Sequence, residues 1–323
     1  MAKSDPDIPS ELQPDPKDYT FDLDRALRAV VGLRATVSDE AFTASVLGTE
    51  RAGSAVQFRP GLFLTIGYLI AEAEQVWLTA WDGQAVPGHA MAYDQETGFG
   101  LVQALGRLEL PVLELGDSEA ARVGTRAVFA SAGGRKRAVA CRVAGRQEFA
   151  GYWEYLLDDA IFTAPAHPLW GGGALIGPDG TLIGTGSLVL QQGGEGGRRA
   201  DLNMVVPVEL LHPILDDLLQ YGRVNRPARP WLGLYAMQDD EAIVVGGLAD
   251  GGPADKAGVH TGDRIAAVND TPVEDLAGLW REVWSSGSAG AQVHLTLVRD
   301  GREIEVTVPS SDRARYLKSP SLH

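Results

Sequence analysis

The sequence predicts a mainly β protein with two domains, and three observations support this. Glycine is abundant, with 39 of the 323 residues, short apolar runs recur between turn residues from Val30 to Leu188, and helical periodicity is scarce. Hydrophobic residues make up 45% of the chain and charged residues 22%, so the chain can bury at least one large core. Strand-like runs do not alternate with long helical ones, which argues against a parallel α/β fold.

The apolar runs follow one another between two predicted helices, at residues 21–31 and 206–219. Each run is bounded by Gly, Pro, Asp or Asn, and such a series is typical of a β-barrel or a β-sandwich. The clearest runs are residues 54–58, 62–66, 75–79, 100–104, 126–130, 137–143, 155–157, 174–176 and 181–189.

A proline- and arginine-rich segment divides the chain. Residues 223–230 read Arg-Val-Asn-Arg-Pro-Ala-Arg-Pro, a composition typical of a stiff linker. We therefore expect one domain over residues 21–222 and a second over residues 231–310. Residues 1–20 are predicted to form a disordered acidic tail, and residues 311–323 a second tail.

The charge of the chain argues against two classes of partner. A net charge of −15, with a sequence pI near 4.8, repels phosphate backbones and anionic lipids, so neither nucleic acid nor membrane binding is expected. No apolar run reaches the length of about eighteen residues that spans a bilayer. Because Met1 to Tyr19 is acidic and polar, without a basic segment before an apolar run, we expect a cytoplasmic protein.

The cysteine and histidine residues suggest no cofactor or metal site. Cys141 is the only cysteine and lies in an alternating strand-like run, so a small core residue is favoured over a reactive thiol. His89 and His212 have no Cys, Asp or Glu partners at ligand spacing. We expect neither a metal nor a cofactor.

Residues 167–184 contain the most informative motif of the sequence. His-Pro-Leu-Trp-Gly-Gly-Gly-Ala-Leu-Ile is followed by a Pro-Asp-Gly turn and a second apolar run, which predicts a glycine loop before a β-hairpin. This order resembles the active-site segment of the HtrA/Deg family of trypsin-like proteases, Asn-Pro-Gly-Asn-Ser-Gly-Gly-Pro-Leu. Gly171 stands where the family has its serine.

Two further segments resemble the same family in the same order. Residues 61–70, after the Gly-Ser-Ala-Val of residues 53–56, are similar to the segment with Thr-Asn-Asn-His-Val-Ile, and Tyr68 stands at the histidine. Residues 94–102 resemble Asp-Pro-Glu-Thr-Asp-Leu-Ala-Val-Leu, with Gly98 at the aspartate. The resemblance implies a trypsin-like domain of two six-stranded antiparallel β-barrels, and a homotrimer, since HtrA relatives typically assemble as trimers.

The three positions that the resemblance marks as catalytic carry other residues. Serine proteolysis needs a hydroxyl, an imidazole and a carboxylate, and the chain offers Gly171, Tyr68 and Gly98. Tyrosine, with a pKa near 10, is a poor general base at neutral pH. We therefore expect these positions to be vestigial, no residue to be catalytic, and the chain to be a pseudoprotease rather than an enzyme.

The second domain resembles a PDZ domain of the HtrA type. Residues 252–259, Gly-Pro-Ala-Asp-Lys-Ala-Gly-Val, and residues 262–269, Gly-Asp-Arg-Ile-Ala-Ala-Val-Asn, are close to two packing segments of that domain. A glycine-containing loop can direct successive N–H groups at a terminal carboxylate, and an extended peptide can add a strand beside it. The resemblance implies a peptide site formed by the loop residues Trp231, Leu232, Gly233 and Leu234 and by the helix residues Leu276 and Trp280.

These expectations describe a polypeptide-binding scaffold, adaptor or chaperone-like protein, whose partner is a polypeptide C-terminus or a member of a protein complex. One alternative is an endopeptidase with a non-standard nucleophile, for which the candidates are Ser54, Thr65 and Cys141. Another is a structural subunit of a larger enzyme, with the PDZ fold used only for packing. Near the glycine loop, His167 is expected to have a structural role, and Trp170 either fills the cleft or anchors a partner.

Overall fold

The structure is a computed structural model that describes residues 7–193, 199–239 and 242–318. The chain forms two compact units. The first ends at Val224 and excludes one internal segment, Glu148–Asp158, which belongs to the second unit together with Asn225–Lys318. The second unit therefore contains a hairpin tip that is distant from it in sequence.

The first six strands close into a barrel in the order β1-β2-β3-β6-β5-β4, with antiparallel neighbours. Turn residues delimit these strands, and the side chains of β3 are buried along its whole length. The strands are β1 (Val30–Val37), β2 (Glu50–Arg59), β3 (Leu62–Ile66), β4 (Ala73–Thr79), β5 (Ala85–Tyr93) and β6 (Phe99–Ala104).

The next six strands close into a second barrel in the order β10-β11-β12-β9-β8-β7. Its core contains five fully buried side chains, those of Phe129, Val139, Ile161, Leu175 and Val205. The two barrels confirm the predicted trypsin-like architecture. The strands are β7 (Arg126–Ala130), β8 (Ala138–Gly151), β9 (Tyr155–Ala164), β10 (Ala174–Ile176), β11 (Leu182–Gly193) and β12 (Arg199–Pro207).

The helices of the first unit are short. They are α1 (Leu23–Arg28), α2 (Ala44–Leu47) and α3 (Leu215–Tyr221), with 3₁₀ turns at Ser10–Leu12, Pro16–Asp18, Gly67–Leu69, Gly134–Arg137 and Val208–Leu210. The helix predicted over residues 206–219 begins later, because Val205 and Val206 pair with β11 and Pro207 keeps an extended backbone. No helix in the described ranges is long and apolar enough to cross a membrane.

The second unit has a sheet in the order β13-β14-β15-β17-β18, with β16 paired to β15. Its helices are α4 (Pro253–Lys256) and α5 (Leu276–Ser285), and Asp275 caps α5 by accepting the Gly278 N–H. The strands are β13 (Leu234–Gln238), β14 (Ile243–Leu248), β15 (Arg264–Val268), β16 (Thr271–Pro272), β17 (Gln292–Arg299) and β18 (Arg302–Pro309). Leu279, Trp280 and Val283 of α5 pack into the core at the predicted helical spacing.

The described parts of both expected tails contact the protein. Ile8 is buried, and its N–H donates to the Lys136 carbonyl over 2.9 Å. Ser311 exchanges two backbone hydrogen bonds with Trp231, and a 3₁₀ turn follows at Arg313–Arg315. The ring of Tyr316 lies 4.8 Å from that of Trp231. The structure differs from the expectation here, because an apolar or aromatic side chain anchors each segment although its composition is polar.

Candidate functional site

The three positions that the resemblance marks lie close together in the first unit. Tyr68 follows β3, on the 3₁₀ turn Gly67–Leu69. The Gly67 N–H donates to the Gly98 carbonyl over 2.7 Å, which holds Gly98 beside this turn. A Cβ placed on Gly171 would lie 3.0 Å from the phenol oxygen of Tyr68. The fold therefore brings Tyr68, Gly98 and Gly171 to one place.

The phenol of Tyr68 is engaged by the protein. It donates to the Ser187 carbonyl over 2.8 Å, and it is hydrogen-bonded to the side chain of Trp170. Burial raises the pKa of the Tyr68 phenol above its ordinary value, and the bond to Trp170 opposes this only in part. Tyr68 is therefore a neutral hydrogen-bond donor at neutral pH. Trp170 packs against the core of the second barrel and is half-buried, so part of the ring remains accessible.

The glycine loop packs closely against β2 and β3. The Gly171 carbonyl accepts the Ser54 N–H over 2.8 Å. Gly172 has a φ of +72°, and a Cβ there would lie 1.9 Å from the Ser54 carbonyl oxygen and 2.4 Å from Thr65 Oγ1. Only glycine fits at this position, for reasons of both backbone conformation and space.

His167 holds the start of this loop. Its Nδ1 accepts the Leu169 N–H over 2.9 Å, so Nε2 carries the proton and donates to the Arg137 carbonyl over 3.0 Å. The ring is fully buried and stacks on Phe129. Burial lowers the pKa of His167 to about 4, so the ring is neutral at pH 7. Nδ1 bonds within the loop and Nε2 ties the loop to Arg137 outside it, which indicates a structural role.

The three alternative nucleophiles are buried. The Ser54 hydroxyl oxygen accepts the Ala132 N–H over 3.1 Å, and the Thr65 hydroxyl donates to the Ser54 carbonyl over 2.7 Å. Both lie next to the glycine loop. Cys141 lies on β8, and burial raises the pKa of its thiol to about 12, so the thiol stays protonated. Among the described residues, no group of three or more His, Cys, Asp and Glu side chains is arranged to hold a metal ion.

The second unit has its own site, at the loop before β13. The N–H groups of Leu232, Gly233 and Leu234 all donate to the side-chain carboxylate of Glu154, over distances of 2.7 to 3.2 Å. Gly233 has a φ of +76°, a left-handed conformation that directs successive N–H groups to one side. The loop is thus arranged to bind a carboxylate, and it holds one.

Glu154 lies in the turn between β8 and β9, within the hairpin tip that belongs to the second unit. The Tyr152 carbonyl in the same turn accepts the Ala236 N–H of β13 over 2.8 Å. The Gly151 carbonyl accepts the indole N–H of Trp280 on α5 over 2.9 Å. The tip therefore contacts both β13 and α5.

The Glu154 carboxyl is nearly removed from water, at 5% exposure. Burial raises its pKa to about 7, although the three loop N–H groups and the positive charge of Arg313 act in the opposite direction. The group is therefore close to half-protonated at neutral pH. This makes Glu154 a titratable contact of the loop.

The structure brings most of the expected peptide-site residues together. Leu232, Gly233 and Leu234 supply the carboxylate-binding N–H groups, whereas Trp231 donates its N–H to Ser311 and packs on Tyr316. On α5, Trp280 is fully buried and bonded to the hairpin tip, and Leu276 packs partly buried against the core.

Glu154 is a residue of the site that nothing in the sequence marks. Its partners lie 78 to 80 residues away, and no local pattern marks a glutamate in a turn as a long-range ligand. Its φ of +58°, which is unusual for a glutamate, is visible in the backbone of the structure and not in the sequence.

Comparisons with known proteins agree with this architecture. Residues 53–184 match the trypsin-like peptidase domain, and residues 230–309 match the PDZ domain. A probable periplasmic serine endoprotease, DegP-like, of Chlamydia pneumoniae is 26% identical over 269 residues, which cover 78% of this chain and 53% of that protein. The periplasmic pH-dependent serine endoprotease DegQ of Escherichia coli is 24% identical, covering 80% and 59%. The chain thus spans about half the length of the curated relatives it matches.

Two solved structures share the fold. The HtrA-type protease AlgW with a tripeptide superposes with a TM-score of 0.52 at 22% identity, covering 95% of this chain and 99% of that one. The same protease with a decapeptide gives a TM-score of 0.52 at 22% identity, covering 92% and 98%. At this identity the likeness concerns the fold alone.

The relatives correct two predictions made from the sequence. The prediction of a cytoplasmic protein is wrong, because the relatives are named periplasmic. The prediction that the chain is not an enzyme is also wrong, because the relatives are named serine endoproteases, which points to an enzyme. Both predictions depended on features of this chain alone, the composition of residues 1–19 and the residues at three positions.

Proposed function

We propose, from the chain's membership of the HtrA family through its trypsin-like peptidase and PDZ domains, that it binds polypeptides by their C-termini in the PDZ domain. The site comprises the loop N–H groups of Leu232, Gly233 and Leu234, the edge strand β13 and the helix α5. Each of these provides one of the contacts that an extended peptide needs.

The carboxylate held by the loop is the observation that carries this proposal. Three N–H groups donate to one carboxylate over 2.7 to 3.2 Å, without a cationic side chain among the donors. A terminal carboxylate in the same place would accept the same three bonds. The Ala236 N–H donates to the carbonyl of Tyr152, two residues before Glu154. In a bound peptide, the carbonyl two residues before the C-terminus would accept the same N–H.

The bound polypeptide would be a client or partner, so the chain would act as a scaffold, adaptor or chaperone-like protein. The relatives are named periplasmic, and we infer the same compartment for this chain. A homotrimer, as the family resemblance implies, is part of the same proposal. A role as an assembly subunit of a larger enzyme would use the same groove for one fixed partner.

Endoproteolysis is the second candidate function, and the names of the relatives favour it. The positions implied by the resemblance hold Tyr68, Gly98 and Gly171, so cleavage on this scaffold would take its nucleophile from elsewhere. Ser54 and Thr65 lie nearest to the glycine loop. Digestion of casein by the purified chain, with and without a reactive-serine probe, tests this function: probe-sensitive turnover supports it, and the absence of turnover counts against it.

Peptide binding is tested with the full-length chain and two probes. One is the fluorescein-labelled hexapeptide Phe-Ala-Gly-Tyr-Trp-Ala, which copies residues 149–153 and ends in a free carboxylate at the place of Glu154. The other is a mixture of hexapeptides with randomised residues and a free carboxyl terminus. We expect binding by fluorescence polarisation, at least about tenfold weaker for the C-terminal amides, because an amide replaces one of the two acceptor oxygens with a donor that faces the loop N–H groups.

Equal binding of the acid and the amide would contradict the proposal. The proposal would also be contradicted if neither probe bound to the natural chain or to the Glu154→Ala variant, which lacks the carboxylate that the loop N–H groups contact.

A further inference from the structure

The peptide groove of the second unit already contains a segment of the same chain. Glu154 places its carboxylate on the loop N–H groups of Leu232, Gly233 and Leu234, and the side chain is 5% exposed. A PDZ loop that is filled in this way offers no N–H group to a second carboxylate.

The register of this segment is that of an added strand. The carbonyl of Tyr152 accepts the N–H of Ala236, two residues after Leu234 on β13. On the hairpin side, Tyr152 likewise lies two residues before Glu154, whose carboxylate accepts the loop N–H groups. β13 lies at the edge of its sheet, paired only with β14 in the sheet order, and an edge strand is where an extended peptide adds.

The helix side of the groove grips the same segment. Trp280 on α5 donates its indole N–H to the Gly151 carbonyl over 2.9 Å. One residue further along α5, the guanidinium of Arg281 pairs with the carboxylates of Glu148 and Asp158, which flank the hairpin tip on its two strands. The tip is thus fixed at its carboxylate, at its backbone and at both of its ends.

The backbone of the turn has an unusual conformation at Glu154. Three residues, Tyr152 to Glu154, join β8 to β9, and the last of them has a φ of +58°. Glycine or asparagine is the usual residue in that conformation, because other side chains are strained there. The hydrogen bonds to its carboxylate offset this strain on Glu154.

We propose that the hairpin tip Glu148–Asp158 is an internal ligand of the PDZ groove, with the Glu154 side chain in the place of a terminal carboxylate. An external polypeptide C-terminus binds by displacing it. This inference rests on the proposed function, since it assumes that the groove takes C-termini. Because the tip is tethered, it competes at a high effective concentration, and the apparent affinity of a peptide falls in proportion to the fraction of grooves left open.

The test compares full-length variants. Glu154→Ala removes the internal carboxylate, and Arg281→Ala loosens the tip while it leaves the loop N–H groups and Glu154 in place. Glu305→Ala is the matched control, because it also replaces one glutamate by alanine and Glu305 is exposed on β18. Binding of the two probes defined above, and hydrogen exchange over residues 231–236, are measured for each variant.

We expect Glu154→Ala to bind the free-acid probes at least about tenfold more tightly than the natural chain, with Arg281→Ala between them and Glu305→Ala unchanged. Exchange over residues 231–236 should accelerate in the same order. Equal peptide affinity in the natural chain and in Glu154→Ala would overturn the internal ligand and leave the proposed function standing. Accelerated exchange in Glu154→Ala without binding of either probe would overturn the proposed function, and the inference with it.

Discussion

The carboxylate of Glu154 lies 2.7 Å from the amide nitrogen of Gly233, although the two residues are 79 positions apart in the chain. This contact joins the turn between β8 and β9 to the loop before β13, and both lie within one compact unit. It gives the loop a bound carboxylate, and it makes the occupancy of the groove depend on one titratable side chain.

Docking of the hairpin tip should weaken as the pH rises through about 7. The pKa of Glu154 rises from 4.5 when exposed to about 7 when docked, so the docked state is most favoured below pH 4.5, weakens progressively between pH 4.5 and 7, and changes little above that. The loss approaches about 3 kcal/mol. Arg313 and Tyr235 face the carboxyl, and burial raises the pKa of the Tyr235 phenol further above its ordinary value, away from this range.

Hydrogen exchange over residues 231–236, corrected for the intrinsic pH dependence of exchange, measures this effect. Glu154→Gln, which cannot ionise, is the control and should show a flat opening free energy. Protection that increases with pH in the natural chain would contradict the prediction.

Gly172→Ala should destabilise the first unit strongly. Its Cβ would lie 1.9 Å from the Ser54 carbonyl oxygen, and overpacking adds to the left-handed backbone, so we expect a loss of at least about 3 kcal/mol. Gly124→Ala is the matched control, because Gly124 has a φ of +89° with no atom within 4 Å of a Cβ. The Gly124→Ala variant should lose about 1 kcal/mol of unfolding free energy through backbone strain alone. Chemical denaturation measures both, and similar losses would show that space at Gly172 is not limiting.

Acid should destabilise the chain through His167. Its pKa falls from 6.5 in the unfolded chain to about 4 in the buried site. The unfolded chain therefore binds the extra proton first, and the stability contribution present above pH 6.5 is lost as the pH falls through 4. The loss is about 3 kcal/mol. Denaturation curves between pH 4 and 7 test this against His167→Gln, which should lack this component, and parallel curves would refute it.

Cys141 should be inert in the native chain. Its thiol is buried and protonated, with a pKa of about 12, so a thiol reagent such as dithionitrobenzoate should react only on unfolding. Absorbance measured with and without guanidinium gives the two rates. Rapid labelling of the native protein would show that the site around Cys141 opens, and it would favour the thiol as a nucleophile.

The barrels were predictable because their strands are short and closed by turn residues. The expected runs at residues 62–66, 126–130 and 174–176 coincide with β3, β7 and β10. The hairpin of β8 and β9 was underestimated, since the expected runs stop at residue 143 and begin at 155. Its outer part carries exposed polar residues such as Gln147 and Glu148, which hide the strand pattern.

The candidate site was predictable in part. Gly233 and Trp280 entered the expected site through the resemblance to a PDZ domain, which short local motifs carry, and the structure places both against the hairpin tip. Glu154 could not be assigned in this way, because its role depends on a contact across the fold and its own neighbourhood resembles an ordinary turn. Location and enzyme class also needed relatives, since neither follows from local physical chemistry.

Calorimetric titration of the full-length Glu154→Ala variant with Phe-Ala-Gly-Tyr-Trp-Ala and with the randomised hexapeptides tests the central claim most directly. We expect saturable binding of the free-acid peptides and at least about tenfold weaker binding of their C-terminal amides. Heats that are the same for acid and amide, or that are absent for every peptide, would contradict it.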